Sequence, residues 1–193
     1  MQLPEQIETE RIILIHPTQP TFQLAHDLYT VIDNSRETLR EWLPWPDKTN
    51  SPEDEFNGFL MKWYKKHWDE QDGFAYLIYP KDKNRFAGVI DLMHVSEENK
   101  SAEIGYWLGN HAVGHGYMQE AVRALESVAF QAGINRIIIR NDTQNLRSVH
   151  VAKHCGYILE GVMHQDAWDE YHQRLRDTNI WAKLKSEWGK ERK

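Results

Sequence analysis

Two glycines one residue apart, Gly114 and Gly116, stand at the mouth of a helical repeat in "GNHAVGHGYMQEAVRAL", residues 109–125. Met118, Ala121, Val122, Leu125, Val128, Ala129 and Ala132 then follow at the 3.6-residue period until Gly133. Glycine ordinarily marks the far end of a helix, so a pair at the entrance points to backbone N–H groups that approach a ligand closely. The helix N-terminus carries roughly half a positive charge, which makes that ligand an anion, and a phosphate fits. Downstream, Asn145 and Ser148 open a second, short helix, Asn145 at an N-cap position and Ser148 one turn in. Two carboxylates, Glu103 and Asp91, sit in strand-like apolar runs, where a raised pKa would suit a general base. His150 and His154 have i,i+4 spacing but no intervening HExxH glutamate, and they read as a solvated helix face. Cys155, beside Gly156, reads as a small buried hydrophobe.

The elements that must position these groups follow from periodicity. "RIILIHP" reads as a strand, then "TFQLAHDLYTVID" and "SRETLREWL" as helices, the second ending before Pro44. Phe56, Phe59, Leu60 and Trp63 in "FNGFLMKWYKKHWDE" recur at helical spacing. From Gly73 the period becomes 2: "FAYLIY", "RFAGVIDLMHV" and "SAEIGYWL" read as three strands joined by the turn-like "PKDKN" and "SEENK", an antiparallel meander. In the third of these, Glu103, Gly105 and Trp107 share one face and Ala102, Ile104, Tyr106 and Leu108 the other. "RIIIR" reads as a strand buried on both faces, and "YILEGVMHQDAW" with "YHQRLRDTNIWAKL" as a closing strand pair. The order βααα, βββ, α, β, α, ββ is an α/β arrangement of the α+β kind in a single domain over residues 1–193.

Composition narrows the chemistry. A net charge of −6 argues against a nucleic-acid partner, since the longest basic feature is the terminal "GKERK", which reads as a solvated end. One cysteine excludes an intrachain disulfide and suits a reducing compartment. No apolar run approaches the ~18 residues a membrane span needs, and "MQLPEQIETER" lacks the apolar stretch of a signal peptide, so a cytoplasmic location without membrane contact is expected. There is no G-x-x-x-x-G-K-[ST] for a nucleotide and its metal, nor a G-x-G-x-x-G with a ribose carboxylate, so ATP and dinucleotides fit poorly.

The order strand, glycine-rich loop, helix, buried strand, short helix, strand pair resembles the GNAT acetyltransferase superfamily over nearly the whole chain. The resemblance is carried by "AEIGYWL" at 102–108, "VGHGYM" at 113–118, "NLRSVHVAKHCGY" at 145–157 and "SRETLREWLPW" at 35–45. Together these segments resemble the RimJ/RimL branch, the ribosomal-protein N-terminal acetyltransferases. The family's loop pattern, Gln/Arg-x-x-Gly-x-Gly/Ala, runs here from Val113 to Met118 and keeps the central Gly116.

That resemblance implies a mixed, largely antiparallel sheet with helices on its faces. It implies acetyl-CoA as co-substrate and no metal. The cofactor would lie on Val113, Gly114, His115, Gly116, Tyr117 and Met118 through backbone N–H groups, with the Gln119 side chain beside them. Trp107 and Leu108 would polarise the thioester carbonyl through the strand backbone, and Asn145 would reach the pantetheine amide. Ser148 would give the thiolate its proton, Glu103 would act as base with Asp91 as the second candidate, and Trp42, Trp45 and Asp91 would wall the acceptor. The expected acceptor is the α-amine of a Ser or Ala N-terminus on a ribosomal or other protein. Two alternatives stand beside it: a small amine such as a polyamine or antibiotic, and a CoA-binding regulatory module without turnover. The oligomeric state, including a homo-oligomer, is open.

Overall fold

A computed structural model of the protein describes residues 1–83 and 85–189, without the side chain of Trp63. The basic end at 190–193 and the turn residue Asn84 lie outside the described residues. Strands β1 (Gln6–Glu8), β2 (Ile12–Ile15), β3 (Phe74–Pro80), β4 (Gly88–Ser96), β5 (Ser101–Leu108), β6 (Arg136–Asp142), β7 (Ile158–Asp169) and β8 (Arg174–Leu184) form one sheet in the order β1-β2-β3-β4-β5-β6-β8-β7. Every neighbouring pair is antiparallel except β5 and β6. The meander and the closing hairpin occur as expected; β1 was not anticipated, because three residues are too few to show alternation.

Helices α1 (Phe22–Asp33), α2 (Arg36–Arg40), α3 (Pro52–Asp54), α4 (Lys66–Glu70), α5 (Tyr117–Gln131) and α6 (Leu146–His154) complete the fold. Between α3 and α4 the chain winds as a π-helix over Glu55–Lys65 rather than as the expected α-helix. Its buried side chains, Glu55, Leu60 and Tyr64, fall five and then four positions apart, a repeat longer than 3.6, so the wider turn keeps them on one side. Among the described residues no helix is long and apolar enough to cross a membrane.

Two cores sandwich the sheet. On one face Tyr76, Ile78, Ile90, Ile104, Ile137, Ile139 and Trp181 pack against Val122, Leu125, Ala129 and Phe130 of α5 and Val151 of α6. On the other, Ala75, Leu77 and Val89 meet Ala25, Leu28 and Val31 of α1 and Leu60 and Tyr64 of the π-helix. The strand β3, first of the meander and lying between β2 and β4, is covered on both faces. β6 is not doubly buried as its sequence led us to expect: Ile137 and Ile139 are in the core, but Arg136 and Ile138 are half-buried and Arg140 is exposed. That second face opens into a cleft.

Candidate active site: a glycine loop at the head of a splayed sheet

The opening in the sheet has a simple origin. β5 and β6 pair in parallel only at Ser101↔Arg136, Ala102↔Ile137 and Glu103↔Ile138. Beyond that point β5 stays on β4 as far as Leu108, while β6 stays on β8 as far as Asp142, and the two halves part. Strand backbone offers N–H and C=O groups to both sides. The β5 groups facing the gap from Gly105 onward therefore have no neighbouring strand, and an extended ligand arm can take its place. The resulting cleft has a volume of about 1030 Å³. That is at the upper end of the roughly 300–1,000 Å³ range of small-molecule sites, which leaves room for two reactants.

The glycine loop closes one end. Gly114 and Gly116 adopt φ of 86° and 77°, the left-handed region that side chains disfavour. Gly116 is the N-cap of α5 and supplies no side-chain cap, so the first N–H groups of the helix are offered to whatever enters. Met118, which stands where the family pattern has a small residue, turns its side chain into the core, 4 % exposed, and leaves its backbone at the cleft. The loop is braced from behind. Arg11 Nη1 donates to the His115 carbonyl at 2.9 Å and Arg11 Nε to Glu120 Oε2 at 2.7 Å, while the Thr9 hydroxyl donates to Glu120 Oε1 at 2.6 Å. Lys83 Nζ lies 3.2 Å from His115 Nε2, and an ammonium can only donate, so His115 carries its own proton on Nδ1 and gives it to the Val113 carbonyl at 3.0 Å. Lys83 and the dipole of α5 favour an anion at this end, while the charge of Arg11 is offset by Glu120.

Ser148 stands on the opposite bank. Asn145 Oδ1 accepts the Ser148 N–H at 3.1 Å and caps α6, the structural role foreseen for it. Both residues line the cleft. The Ser148 hydroxyl lies 2.8 Å from the Tyr106 hydroxyl of β5 and accepts from Asn141 Nδ2 at 3.1 Å. Burial raises the Tyr106 phenol above its ordinary pKa of 10, which keeps it protonated.

At the other end, Glu103 faces the cleft with Arg140, whose Nε donates to both carboxylate oxygens at 3.2 and 3.1 Å. Trp42, Leu43 and Pro44 wall this end from the segment after α2, and Arg176 and Thr178 of β8 face it. Trp42 meets His172 at the tip of the β7–β8 hairpin with ring centroids 6.1 Å apart, and Arg40 lies over Tyr171 at 5.2 Å, so the two walls touch above the cleft.

Of the residues expected from the sequence, Trp42, Glu103, Trp107, Leu108, Val113, Gly114, Gly116, Tyr117, Met118, Gln119, Asn145 and Ser148 lie along one cleft. Three others do not line it. The His115 side chain stacks on Tyr117 at 5.3 Å outside the wall, leaving only its backbone for the loop. Trp45 is set back against Trp107, 5.7 Å away, and supports a wall residue instead of being one. Asp91, expected as a wall or base, is a correction: its carboxyl lies across Gly105, where an added Cβ would come within 2.4 Å of Oδ1. That oxygen is buried without a partner among the described residues, and burial pushes the group up from 3.8 to about 7. His150 and His154 stack on each other at 3.7 Å along α6, and Cys155 is buried with its thiol pushed up to about 12 by burial. Sequence reading missed Tyr106, Arg140 and Asn141; the only local signal was that "RIIIRND" ends an apolar strand in polar residues.

Comparison with known proteins gives this geometry a lineage. Residues 11–158 match the acetyltransferase (GNAT) domain family, well over half of the 193-residue chain. The chain is 31% identical over 166 residues to the ribosomal-protein-serine acetyltransferase of Escherichia coli, covering 81% of this chain and 85% of that protein. Among solved structures, a RimL ribosomal α-N-protein acetyltransferase in complex with coenzyme A is similar with a TM-score of 0.83 and 25% identity, covering 93% of this chain and 98% of the other. The MccE microcin self-immunity acetyltransferase, solved with acetyl-CoA and AMP, is similar with a TM-score of 0.82 and 25% identity over 91% of this chain and 93% of the other. An uncapped helix at the end of a parted sheet, matched by a family over most of its length, leaves one conclusion: the chain belongs to the GNAT acetyltransferases.

Proposed function

We propose that this protein acetylates the α-amine of a protein N-terminus beginning with Ser or Ala, on a ribosomal or other protein. Acetyl-CoA is the donor. The observation that carries the reading is the single cleft that runs from the uncapped N-terminus of α5, past Ser148, to a walled second end at Trp42, Glu103 and Arg140. A cofactor pyrophosphate fits the first end and an acceptor amine the second. The relatives named for ribosomal-protein acetylation support the choice of acceptor.

The chemistry follows from those positions. The neutral amine attacks the thioester carbonyl, and backbone groups of β5 near Trp107 and Leu108 stabilise the oxygen as it gains charge. The nitrogen loses one proton, towards Glu103 through water, and the C–S bond breaks with its electron pair on sulfur. Ser148 gives that sulfur a proton and regains one from solvent, so the products are an amide and a thiol with no net proton change.

Amine availability favours the terminus. At pH 7 an α-amine of pKa near 7.7–8.0 is roughly 10–15% neutral, whereas a lysine near 10.4 is neutral only about 0.04% of the time. In a thiol-release assay, peptides with a free Ser or Ala N-terminus are expected to turn over faster than the same peptides blocked at the α-amine and carrying one lysine. Mass spectrometry that finds acetyl on lysine, or turnover with small amines alone, would overturn the acceptor assignment. Acetyl-CoA binding without thiol release to any amine would overturn the catalytic one.

A further inference from the structure

Ser148 Oγ is met by two side chains from different strands, and a third and fourth residue hold one of those two in place. Asn141, the penultimate residue of β6, puts Nδ2 3.1 Å from Ser148 Oγ and its Oδ1 3.4 Å from Trp181 Nε1 and 3.0 Å from Asn179 Nδ2. An amide's two ends are hard to tell apart by shape, but an indole N–H can only donate. Trp181 therefore requires Oδ1 on its own side, and Asn141 must present N–H to the serine. Asn141, Asn179 and Trp181 are all buried, so water does not compete for these bonds. On the other side of Ser148 the Tyr106 hydroxyl approaches Oγ at 2.8 Å and the Ser148 carbonyl at only 3.4 Å, which makes Oγ its better acceptor.

We infer that Asn141, pinned by Trp181, is a positioning residue for acetyl transfer: with Tyr106 it occupies both acceptor lone pairs of Ser148 Oγ, so that the serine's own proton can point only into the cleft, at the departing sulfur. A serine hydroxyl has one proton and two lone pairs. Free to rotate, it would spend part of its time donating to protein oxygens and part donating to the ligand. Two inward donors remove the first option, which is preorganisation of the kind that lowers a barrier without adding a contact to the ground state. Trp181 and Asn179 act one bond further out, through Asn141.

This inference rests on the reading of Ser148 as the thiolate's proton donor, and a double-mutant cycle separates the two. Asn141→Asp keeps the shape but replaces the donor with an acceptor, which draws the serine proton inward. It is expected to lower kcat at least ~tenfold, a share of the ~10²–10⁴ that a positioned acid contributes, with the KM for acetyl-CoA within about twofold of the parent. Added to Ser148→Ala, the same substitution is expected to change kcat by less than about twofold, because the rotor it controls is gone. Trp181→Phe, which removes the indole N–H and leaves a smaller aromatic ring in its place, is expected to give a smaller loss of about two- to fivefold that likewise vanishes with Ser148→Ala; it carries the test if Asn141→Asp does not fold. A full kcat in Ser148→Ala would sink the acid reading itself. A normal kcat in Asn141→Asp, or a loss of equal size with and without Ser148, would leave the acid and overturn the positioning.

Discussion

Gly116 shows how much a single residue decides here. Its φ of 77° is one that side chains rarely adopt and a β-branched residue least of all, and an added Cβ would stand 3.4 Å from the Arg11 guanidinium that braces the loop. Valine, branched at Cβ, would push the backbone out of that conformation and turn away the N–H groups at the head of α5. Gly116→Val is therefore expected to weaken acetyl-CoA binding at least about tenfold, about 1.4 kcal/mol, by titration calorimetry. An unchanged affinity in a folded variant would take the loop out of the cofactor site. The proposed role of Ser148 is of the opposite kind. As the thiolate's proton donor its hydroxyl would act on a charge that exists only as the thioester breaks, so Ser148→Ala is expected to lower kcat with little effect on acetyl-CoA affinity. Steady-state kinetics beside a direct binding measurement would separate the two. A parallel loss of affinity would recast Ser148 as a pantetheine contact.

The elements that bank the cleft are tied together by a buried ion pair. Lys183 of β8 donates to Glu126 Oε1 of α5 at 2.6 Å and to the Cys155 carbonyl at the end of α6 at 2.8 Å. Burial raises the Glu126 carboxyl while the lysine opposes that rise. One ammonium thus joins the helix that carries the loop, the helix that carries Ser148 and the strand beneath both. Breaking such a pair from one side leaves a buried charge behind, which typically costs about 3–5 kcal/mol. Lys183→Ala is expected to lose stability of that order in urea denaturation, whereas Lys183→Met combined with Glu126→Leu should recover most of it. A loss below about 1 kcal/mol for Lys183→Ala would mean that water reaches the pair.

At the scale of the molecule, Asp91 makes stability depend on pH in a direction unusual for a carboxylate. The unfolded group ionises near 3.8 and the folded one near 7. Between those values the folded chain holds a proton that the unfolded chain has lost. Stability from this group is therefore fully present below about pH 4, declines as pH rises through the window, and is lowest above about pH 7. Asp91→Asn removes the slope. Denaturation midpoints at pH 5 and pH 8 are expected to fall less with pH in the variant than in the parent, and the variant is expected to be the more stable of the two at pH 8. Identical slopes in both proteins would mean that Asp91 is solvated in the folded state.

The repeating pattern of side chains and the glycine loop were legible in the sequence because each is written within one short window. Periods of 2 and 3.6, a glycine pair ahead of a helix and an Asn three residues before a Ser need no knowledge of distant residues. The three-strand meander, the glycine entrance to α5 and the closing hairpin followed from those windows. What no window contains is where two strands stop pairing. The end of the β5–β6 ladder at Glu103↔Ile138 creates the cleft, and it is set by how α5, α6 and the two cores pack on the sheet. The same packing joins Tyr106 to Ser148 across 42 residues, Arg140 to Glu103 across 37, and Trp181 to Asn141 across 40. It also sends Asp91 under Gly105 instead of into the cleft, since strand alternation fixes the face on which a side chain lies but not what covers that face. Local periodicity determined most of the elements and the glycine loop; the tertiary structure alone decided which polar groups meet at the serine, because hydrogen bonds need an approach within about 3 Å that only register and packing can set.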